Sequence, residues 1–549
     1  MLKAPSPPAP APHRRPRHEG LWFDDFDEAS AWLRETAIVH LPPLDGARTV
    51  TVHGRWQPHP AVRGWEQGPL RLELTLGAAR ATIAPVAAGD FQAVLALGAG
   101  DATYGADLTL ALQGAGFTNL LAWLGRVTAG WPLLGGLQRF RAQHRNRQLR
   151  LTRIEIDGET AFDFSRRHAA YSAAFARRHV RLGLNIAGFL TADLGVGESA
   201  RCMVRAADAA QLPSALVPLK LHCKNPQGDQ TFAARLQADN PHPVNVIHLD
   251  PPAMRDIDHH HGPGFRAGKY TVGYWAWELP EFPDGWLNAF EYVQEVWCPS
   301  EFVRKAIEMK SPVPVLAMPH AIQFKRPTEP VAALRRRFGL PANDFLFLFL
   351  YDLNSYSARK NPAAVIEAFR RSGLAGHGAA LVVKAHNAAG NEADLAALRT
   401  AVADLPATTL LTETLAREDV YRLEAACDCF VSLHRSEGFG LAVAECMYLG
   451  KPVIATDWSA TAEFLDATNG APVRYDLVNL DRNHGPYSKG QVWAEPDPAH
   501  AAEWMQRLVK DRALGARLGE AARRTIEDRF SPATIGARYR RRLEMIATW

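Results

Sequence analysis

The sequence has few cysteines and no arrangement of them that indicates cross-linking. Six cysteines occur in 549 residues, and none forms a CxxC pair or has a histidine at zinc-finger spacing. Domains held together by disulfides and structural zinc sites both need such patterns, so the sequence predicts neither. We therefore expect free thiols in a reducing compartment, and a cytoplasmic protein.

Long apolar runs and an excess of one charge are also missing. No run of about 18 uncharged apolar residues exists, and no apolar segment follows the basic N-terminus, so we expect neither a transmembrane helix nor a secretory signal. The 62 basic and 58 acidic residues leave a formal net charge of +4. Because nucleic-acid binding needs a concentrated basic surface, we expect no nucleic-acid partner.

The pattern of residues changes along the chain and divides it into four parts. Residues 1–18 contain six prolines and are predicted to form a disordered tail. Residues 19–165 alternate apolar and polar side chains between Gly, Pro and Asp turns, as in Leu70–Leu76, which predicts an antiparallel β-sandwich. Residues 166–325 and 326–549 alternate apolar strands with helices, which predicts two Rossmann-like, doubly wound parallel sheets. The last helix is expected to cross back to the first of these two lobes.

Two segments leave contact with a membrane open. Asn119–Leu137 is apolar but interrupted by Arg, Gly and Pro, and is either a buried loop or short helix or an interfacial patch. Arg166–Arg181 is basic and is either a solvated linker helix or a segment attracted to anionic lipid headgroups. A peripheral position at the inner face of the membrane is therefore an alternative to a free cytoplasmic protein.

The sharpest local signal is a glycine-rich loop between a strand and a helix, with the sequence SLHRSEGFGLAVAE over Ser432–Glu445. Glycines let the backbone approach a ligand, and the free N–H groups of a helix start suit a phosphate or sugar oxygens. Glu437 in the loop and Glu445 in the helix are expected to face one cleft, where carboxylates accept hydrogen bonds from vicinal hydroxyls. A plain strand–turn–helix with two surface glutamates is the alternative.

With the following segments Met447–Thr456 and Ala460–Phe464, this stretch resembles the family 4 glycosyltransferases, retaining enzymes of GT-B fold. The resemblance implies a nucleotide-sugar site in the C-terminal lobe, where Glu437 holds hydroxyls of the transferred sugar and Glu445 binds the ribose. It also implies that consecutive backbone N–H groups contact the sugar and the diphosphate, those of Phe439, Gly440 and Leu441.

A second match to this family supplies the cations. The apolar strand Phe345–Tyr351 is followed by Arg359 and Lys360, where relatives place an Arg and a Lys against the donor diphosphate. Lys360 fits the Lys, and we predict that it is catalytic together with Glu437. The Arg that usually follows the strand is absent, so Arg359 is either its substitute or a solvent-facing side chain. Lys384 either contacts the diphosphate or is a simple strand-end lysine.

The first α/β lobe also resembles the family. Gly188–Arg201, with Gly195 and Gly197, looks like the glycine-rich loop that faces donor and acceptor across the cleft between the lobes. A dinucleotide-binding Rossmann turn is the alternative, but its GxGxxG spacing is missing because Ala200 follows these glycines.

The segment GYWAWELPEFP over Gly273–Pro283 resembles an aromatic-rich part of the polysaccharide-assembly members of the family. Its Trp275 and Trp277 are either platforms for sugar C–H bonds or core aromatics. Many relatives have a His just before the acidic residue, and here Trp277 stands in that position. Glu278 is predicted to be a further catalytic residue, in contact with acceptor or donor.

One segment outside these matches resembles a metal site. Asp256–His261 reads DIDHHH, and a DxD motif binds a metal in GT-A glycosyltransferases. Its polar setting before Gly262 favours an exposed loop, so we expect no metal and no cofactor beyond a nucleotide-sugar co-substrate. His320 is expected to close the junction between the lobes rather than to do chemistry.

The resemblance implies a retaining hexosyltransferase that moves a sugar from a nucleoside-diphosphate sugar to a glycan or lipid-linked glycan, in polysaccharide, O-antigen or capsule assembly. The acceptor hydroxyl would pass its proton to the leaving phosphate, and lobes hinged near residues 325–340 would close over the donor. A hydrolase or phosphorylase of the same fold, and a noncatalytic glycan-binding protein with the sandwich as its working module, are the alternatives. The sequence identifies neither the nucleotide base, nor the sugar, nor the acceptor.

Overall fold

A computed structural model describes residues 18–24, 27–41, 44, 46–56, 71–84, 89–98, 106–113, 149–164, 170–172, 175 and 182–548. Contacts divide the described residues into two compact units, one spanning Gly183–Arg540 and the other made of the residues before it and after it. The predicted tail up to residue 17, Asn119–Leu137 and most of Arg166–Arg181 lie outside the described residues.

The first unit consists of antiparallel strands joined into one ten-stranded network. The strands are β1 (His18–Asp24), β2 (Asp27–Leu41), β3 (Thr49–Trp56), β4 (Arg71–Leu76), β5 (Ala79–Ile83), β6 (Gly89–Ala96), β7 (Ala106–Gln113), β8 (Leu149–Ile156), β9 (Glu159–Asp163) and β10 (Ala170–Tyr171). Alternation of apolar and polar residues places Leu72, Leu74 and Leu76 of β4 on one buried face. The predicted antiparallel strands are confirmed, and their arrangement as a sandwich of two sheets stays a prediction.

The second unit begins with a lobe built on a parallel six-stranded sheet, called here the N-terminal lobe (residues 183–325). Its strands and helices are β11 (Leu184–Gly188), α1 (Gly195–Ala209), β12 (Ser214–Pro218), β13 (Val244–His248), α2 (Ile257–His261), β14 (Tyr270–Tyr274), β15 (Glu295–Cys298), α3 (Glu301–Glu308) and β16 (Val315–Ala317). Every residue of β11, β13 and β14 is buried, as expected for parallel strands covered on both faces.

A second parallel six-stranded sheet forms the C-terminal lobe (residues 326–530). Its elements are α4 (Val331–Arg337), β17 (Phe345–Asp352), α5 (Ser357–Lys360), α6 (Pro362–Ser372), β18 (Ala379–His386), α7 (Glu392–Val402), β19 (Thr408–Leu411), α8 (Arg417–Ala426), β20 (Cys429–Ser432), α9 (Leu441–Tyr448), β21 (Val453–Thr456), β22 (Ala471–Val473), the hairpin strands β23 (Tyr475–Asn479) and β24 (Val492–Pro496), α10 (Pro498–Lys510) and α11 (Arg512–Phe530). The predicted pair of doubly wound parallel sheets after an antiparallel region is therefore confirmed.

The strand order of the C-terminal lobe determines where a ligand can bind. The order is β19-β18-β17-β20-β21-β22, so the chain reverses direction across the sheet between β17 and β20. In open α/β sheets, the crevice at the carboxyl ends of such a pair of strands is the usual ligand site. The loop after β17 carries Arg359 and Lys360, and the loop after β20 carries Glu437.

A last helix, α12 (Pro532–Thr548), runs against the N-terminal lobe. The ring of Tyr539 stacks on Trp297 with 5.3 Å between ring centroids. Gly536 lies so close to α1 that a Cβ there would be 2.2 Å from the carbonyl oxygen of Ala206. Within the described ranges, no helix is long and apolar enough to cross a membrane.

Candidate functional site

Three side chains converge on one carboxylate oxygen at the β17–β20 crevice. The Nζ of Lys360 lies 2.5 Å from Oε1 of Glu437, and Nη1 of Arg359 lies 3.2 Å from the same oxygen. The Nδ1 of His434 lies 2.6 Å from it. We call Glu437, Lys360, Arg359 and His434 the Glu437 cluster. The structure thus brings together the three predicted site residues of these two loops and adds His434.

Electrostatics hold this cluster in one charge state near neutral pH. Burial opposes ionisation of Glu437, but the charges of Lys360 and Arg359 and a hydrogen bond from His434 outweigh it, so the pKa of Glu437 lies well below its usual range. Burial and the charge of Lys360 lower the pKa of His434 to about 4. The cluster therefore contains an ionised carboxylate, two cations and a neutral imidazole.

Arg359 is not the solvent-facing side chain that the sequence left open. The residue is only 4% exposed, and its Nη1 also donates to the carbonyl oxygen of Ser436 at 2.9 Å. The short helix α5 ends at Lys360, and the next residue, Asn361, has a left-handed φ of +50° that turns the chain into α6. The alternative of a solvated arginine is therefore wrong.

Glu278 reaches this cluster from the N-terminal lobe. Its Oε1 lies 3.8 Å from Nη2 of Arg359, and the hydroxyl of Tyr487 donates to its Oε2 at 3.0 Å. The hydroxyl of Ser436 donates to the backbone carbonyl of Glu278. Sequence reasoning predicted Glu278 at the site and missed Ser436 and Tyr487. Ser436 lies beside Glu437 in the motif and could have been found there, whereas no spacing signal marks Tyr487.

The glycine-rich loop lies directly against the N-terminal lobe. The hydroxyl of Ser300 donates to the carbonyl of Gly438 at 2.7 Å. A Cβ on Gly438 would come within 2.9 Å of the carbonyl oxygen of Trp277, so this close approach needs glycine. The carboxylate of Glu463 accepts hydrogen bonds from the backbone N–H groups of Glu301 and Phe302, at the start of α3.

The predicted backbone donors lie at the start of α9. The helix begins at Leu441, and the preceding Gly440 has a φ of +93°, which favours glycine. Phe439 is buried, and its ring meets that of His320 edge-on at 4.8 Å. His320 also lies 3.1 Å from the hydroxyl of Tyr274, so it contacts both lobes. Burial lowers the pKa of His320 to about 3, which keeps it neutral.

Glu445 lies in a different set of contacts from Glu437. Arg417 donates a hydrogen bond to its Oε1, and Nε of Arg417 lies 3.9 Å from Oε2 of Glu198 in the N-terminal lobe. Glu198 also pairs with Arg201 at 2.8 Å and with Arg205. We call Glu445, Arg417, Glu198, Arg201 and Arg205 the Glu445 cluster. The ion pairs of Glu437 and Glu445 are thus made with different partners, and those of Glu445 continue into the N-terminal lobe.

Three carboxyl groups, those of Glu445, Glu198 and Glu424, lie in or beside the Glu445 cluster. Burial and the nearby charge of Glu198 raise the pKa of Glu445 to about 7, although Arg417 opposes this. Glu424 is 1% exposed, and neither of its carboxyl oxygens has a hydrogen-bond partner among the described residues. Burial and Glu445 raise the pKa of Glu424 well above its ordinary value, so we take this carboxyl as neutral.

Gly195 and Gly197 lie in the first turn of α1 rather than in a loop before it, because the helix already starts at Gly195. A Cβ on Gly197 would be 2.7 Å from the carbonyl oxygens of Phe189 and Ala192. Glycine is therefore required at this position for packing, while Gly195 has open space around its Cα.

Lys384 is a buried residue of β18, which continues to His386. Its Nζ donates to the carbonyl oxygen of Ala385 at 3.1 Å, and burial lowers its pKa to about 8. In the described part of the chain, no hydrogen bond or ion pair joins it to the Glu437 cluster. Its predicted contact with a diphosphate stays a prediction.

Two interpretations of the sequence are wrong. Trp275 and Trp277 are 0% and 1% exposed and pack in the core of the N-terminal lobe, so neither is an open platform for a sugar. The DIDHHH segment forms the end of a 3-10 helix and the short helix α2 instead of a loop, although His259 and His260 are exposed as predicted, and its Asp258 pairs with Arg266. Throughout the described ranges, no group of three His, Cys, Asp or Glu side chains is placed to hold a metal.

Known proteins resemble parts of this chain in sequence. Residues 331–525 match the family described as Glycosyl transferases group 1. Over 107 residues the chain is 29% identical to the human alpha-1,3/1,6-mannosyltransferase ALG2, an overlap of 20% of this chain and 21% of that protein. The chain thus spans about a fifth of the length of this curated relative.

Solved structures share the fold of the two lobes. The Anabaena Alr3699/HepE structure in complex with UDP and glucose matches with a TM-score of 0.50 and 15% identity, over 66% of this chain and 100% of the other. The same protein in complex with UDP-glucose matches with a TM-score of 0.50 and 14% identity over the same shares. Residues 331–525 therefore resemble the glycosyl transferases group 1 in sequence, and together with the preceding lobe they form a GT-B fold.

Proposed function

We propose that this protein is a retaining glycosyltransferase that moves a hexosyl group from a nucleoside-diphosphate sugar to a glycan or lipid-linked glycan during polysaccharide assembly. The observation that carries the proposal is the convergence of Lys360, Arg359 and Glu437 in a crevice of the lobe that matches the glycosyl transferases group 1. Alr3699/HepE, which shares the fold, forms complexes with UDP and glucose and with UDP-glucose, and this supports a nucleoside-diphosphate donor here.

The donor side of the proposed reaction uses the Glu437 cluster. Lys360 and Arg359 supply two positive charges for the leaving diphosphate, which stabilises the charge that develops as the glycosidic bond breaks. Because these two cations take that part, the proposal needs no metal. Glu437, an ionised carboxylate, accepts hydrogen bonds from hydroxyls of the sugar. The start of α9, with Phe439, Gly440 and Leu441, presents backbone N–H groups to the sugar and diphosphate.

Glu445 takes the ribose in this proposal. A ribose diol donates hydrogen bonds, so it competes with Arg417 for the Glu445 carboxylate. Binding of the donor then requires Arg417 to shift away from Glu445 or to share it. The backbone around Gly195 and Gly197 closes the cleft from the opposite lobe, and Lys384 is a further positive charge on the donor side.

The acceptor side uses Glu278, which lies on the N-terminal lobe next to Arg359. Its carboxylate orients the acceptor hydroxyl toward the anomeric carbon. The bond from this carbon to the diphosphate oxygen breaks, and the bond from the acceptor oxygen forms on the same face. The acceptor proton passes to the leaving phosphate oxygen. We propose a cytoplasmic reaction, since all six cysteines are free thiols.

A panel of nucleotide sugars tests the proposal. Melting temperatures are measured with UDP-glucose, UDP-N-acetylglucosamine, GDP-mannose and dTDP-rhamnose, and products are analysed with and without alkyl glycoside acceptors. We expect one nucleotide class to raise the melting temperature, and a glycosylated product of retained anomeric configuration to form.

Two variants provide the control. Lys360→Ala is expected to abolish transfer while the protein stays folded, whereas Lys510→Ala, which changes an exposed lysine of α10, leaves transfer unchanged. Near wild-type turnover in Lys360→Ala would contradict the proposal. Release of free sugar only, at the same rate with and without acceptors, would indicate a hydrolase instead.

A further inference from the structure

The β23–β24 hairpin of the C-terminal lobe is anchored on the segment of the N-terminal lobe that carries Glu278. Leu480, Tyr487 and Trp493 of the hairpin are buried in the same apolar cluster as Trp277 and Phe282. The side-chain amide of Gln491 donates to the carbonyl oxygen of Glu281 at 3.2 Å. The loop of this hairpin is therefore a contact between the lobes at the edge of the Glu437 cluster.

Tyr487 brings a hydroxyl from this loop to Glu278. It donates to Oε2 of Glu278 at 3.0 Å, and its ring lies 5.5 Å from that of Trp277 and 5.6 Å from that of Tyr356. The guanidinium of Arg359 lies 5.8 Å from the ring centroid. Tyr487 is 3% exposed, and burial holds its pKa well above the ordinary value, so the hydroxyl keeps the proton that it donates.

These contacts fix the orientation of the Glu278 carboxylate without saturating it. Oε2 accepts from Tyr487, and Oε1 faces Arg359. A carboxylate has about four acceptor positions, so at least two remain for other donors. The side chain of Glu278 is 23% exposed, which leaves room for a hydroxyl group to approach it.

We propose that Tyr487 is a positioning residue, which holds the Glu278 carboxylate in the orientation that receives the acceptor hydroxyl. The inference rests on the proposed function, because it assigns Tyr487 a part in that reaction. Catalysis depends steeply on the alignment of reacting groups, and a carboxylate held by two partners samples fewer orientations than one held by Arg359 alone. The hairpin then completes the acceptor side of the site when it lies against the N-terminal lobe.

The alternative is that Tyr487 only fills space between the lobes. In that case the ring of Tyr487 is needed for packing and its hydroxyl is not needed for transfer. The variant Tyr487→Phe keeps the ring and removes the hydroxyl, so it distinguishes the positioning role from packing alone. The matched control is Tyr475→Phe, which removes a hydroxyl from β23 of the same hairpin, where the ring lies beside Trp458 rather than Glu278.

The experiment uses the full chain and whichever of UDP-glucose, UDP-N-acetylglucosamine, GDP-mannose and dTDP-rhamnose raises its melting temperature most. Release of the nucleoside diphosphate is measured with octyl glucoside and octyl mannoside as acceptors, and binding of UDP and GDP by calorimetry. For Tyr487→Phe we expect kcat to fall about tenfold, while donor KM and nucleotide affinity stay within about twofold. Tyr475→Phe is expected to match the wild type in all of these.

A double variant shows whether Tyr487 acts through Glu278. If it does, Glu278→Gln combined with Tyr487→Phe is no slower than Glu278→Gln alone, because the hydroxyl has nothing left to position. Wild-type kcat in Tyr487→Phe, or losses that multiply in the double variant, would overturn the inference and leave the proposed function intact. Absence of transfer by the wild type with every donor and acceptor would overturn both.

Discussion

Two carboxylates of one sequence motif, Glu437 and Glu445, meet opposite surroundings. Glu437 accepts from Lys360 and His434 and lies beside Arg359, so its pKa stays well below the usual range. Glu445 has Arg417 as its near cation and shares its surroundings with Glu198 and Glu424, so burial and repulsion raise its pKa to about 7. Residues of one type in one motif thus differ in charge state because different elements pack around them.

The difference in pKa makes Glu437 and Glu445 differ in how their ability to accept hydrogen bonds depends on pH. Glu437 stays ionised throughout the physiological range and can accept hydrogen bonds from sugar hydroxyls at any such pH. Glu445 takes up a proton near neutrality, and a protonated carboxyl is a weaker acceptor. If Glu445 binds the ribose as proposed, donor affinity depends on pH through this residue and not through Glu437.

Glu437→Gln should have the largest effect, because it removes the negative charge between Lys360 and Arg359 and the proposed acceptor for the sugar hydroxyls. We expect the transfer rate to fall about a thousandfold or more, a loss typical of an electrostatic group in an active site. The initial rate of nucleoside diphosphate release measures it, with circular dichroism to confirm that the protein is folded. A rate within about tenfold of the wild type would show that Glu437 does not contact the reacting sugar.

Arg417→Met should destabilise the protein, because it leaves the buried Glu445 and Glu198 with less positive charge. Removing one partner of a buried ion pair costs about 3 kcal/mol in the free energy of unfolding, and we expect a loss of this size when the ion pairs of Arg417 are removed. Urea unfolding of the wild type and the variant at about pH 8 measures it.

The control is Arg524→Met, whose side chain is 72% exposed and pairs with Glu520 at 3.0 Å. Because exposed ion pairs contribute little, this variant should lose much less stability than Arg417→Met. Equal losses in the two variants would mean that the Arg417 contacts do not hold the lobes together.

Glu445→Gln should change how stability depends on pH. The folded protein binds the Glu445 proton more tightly than the unfolded chain, whose ordinary pKa is 4.5. Stability from this proton is therefore complete below pH 4.5 and is lost as pH rises to about 7. As pH rises from about 5 to about 8, the free energy of unfolding of the wild type should fall by about 2 kcal/mol relative to that of the variant. Both proteins contain the same buried histidines, so the contribution of these histidines to the pH dependence cancels when the two proteins are compared at each pH. A difference in free energy of unfolding that stays constant with pH would contradict the raised pKa of Glu445.

Glu424→Gln should have the smallest effect. Its carboxyl has no hydrogen-bond partner among the described residues and is already neutral, so the amide replaces a group of similar polarity and size. We expect the free energy of unfolding to change by less than about 1 kcal/mol in urea unfolding at about pH 7. A loss above about 2 kcal/mol would show that Glu424 is ionised and paired in the folded protein.

The sequence was informative where one element and its adjoining loop determine the structure. The apolar run FLFLFLY over Phe345–Tyr351 predicted β17 to within one residue. The glycines next to Glu437 predicted a close approach of the backbone to a ligand, and the structure shows a close approach of Gly438 to the carbonyl oxygen of Trp277. The loops after β17 and β20 meet because these strands are neighbours in the sheet, and the resemblance of the motifs supported that pairing. Lys360 and Glu437 were predicted together because the family resemblance assigned both to the donor site, and the neighbouring strands are what the structure adds.

Contacts between lobes could not be predicted in this way. Periodicity reports which face of an element is buried, but not which distant element covers it. Tyr487 of the hairpin packs on Trp277 in addition to Phe282 and Trp286, and no pattern in either segment indicates the pairing with Tyr487. The same holds for Glu198 and Arg417, whose contact places Glu445 in a cluster shared by both lobes.

Because α12 packs on the N-terminal lobe, this lobe is completed only late in synthesis of the chain. Tyr539 covers Trp297, and Arg540 donates to the carbonyl oxygen of Ala210, so residues near the end of the chain finish a lobe whose strands are translated much earlier. Until those residues leave the ribosome, the indole of Trp297 lacks its cover. A chain that stops before Gly536 would therefore present this surface to chaperones and proteases, even though every residue of the β11–β16 sheet has been synthesised.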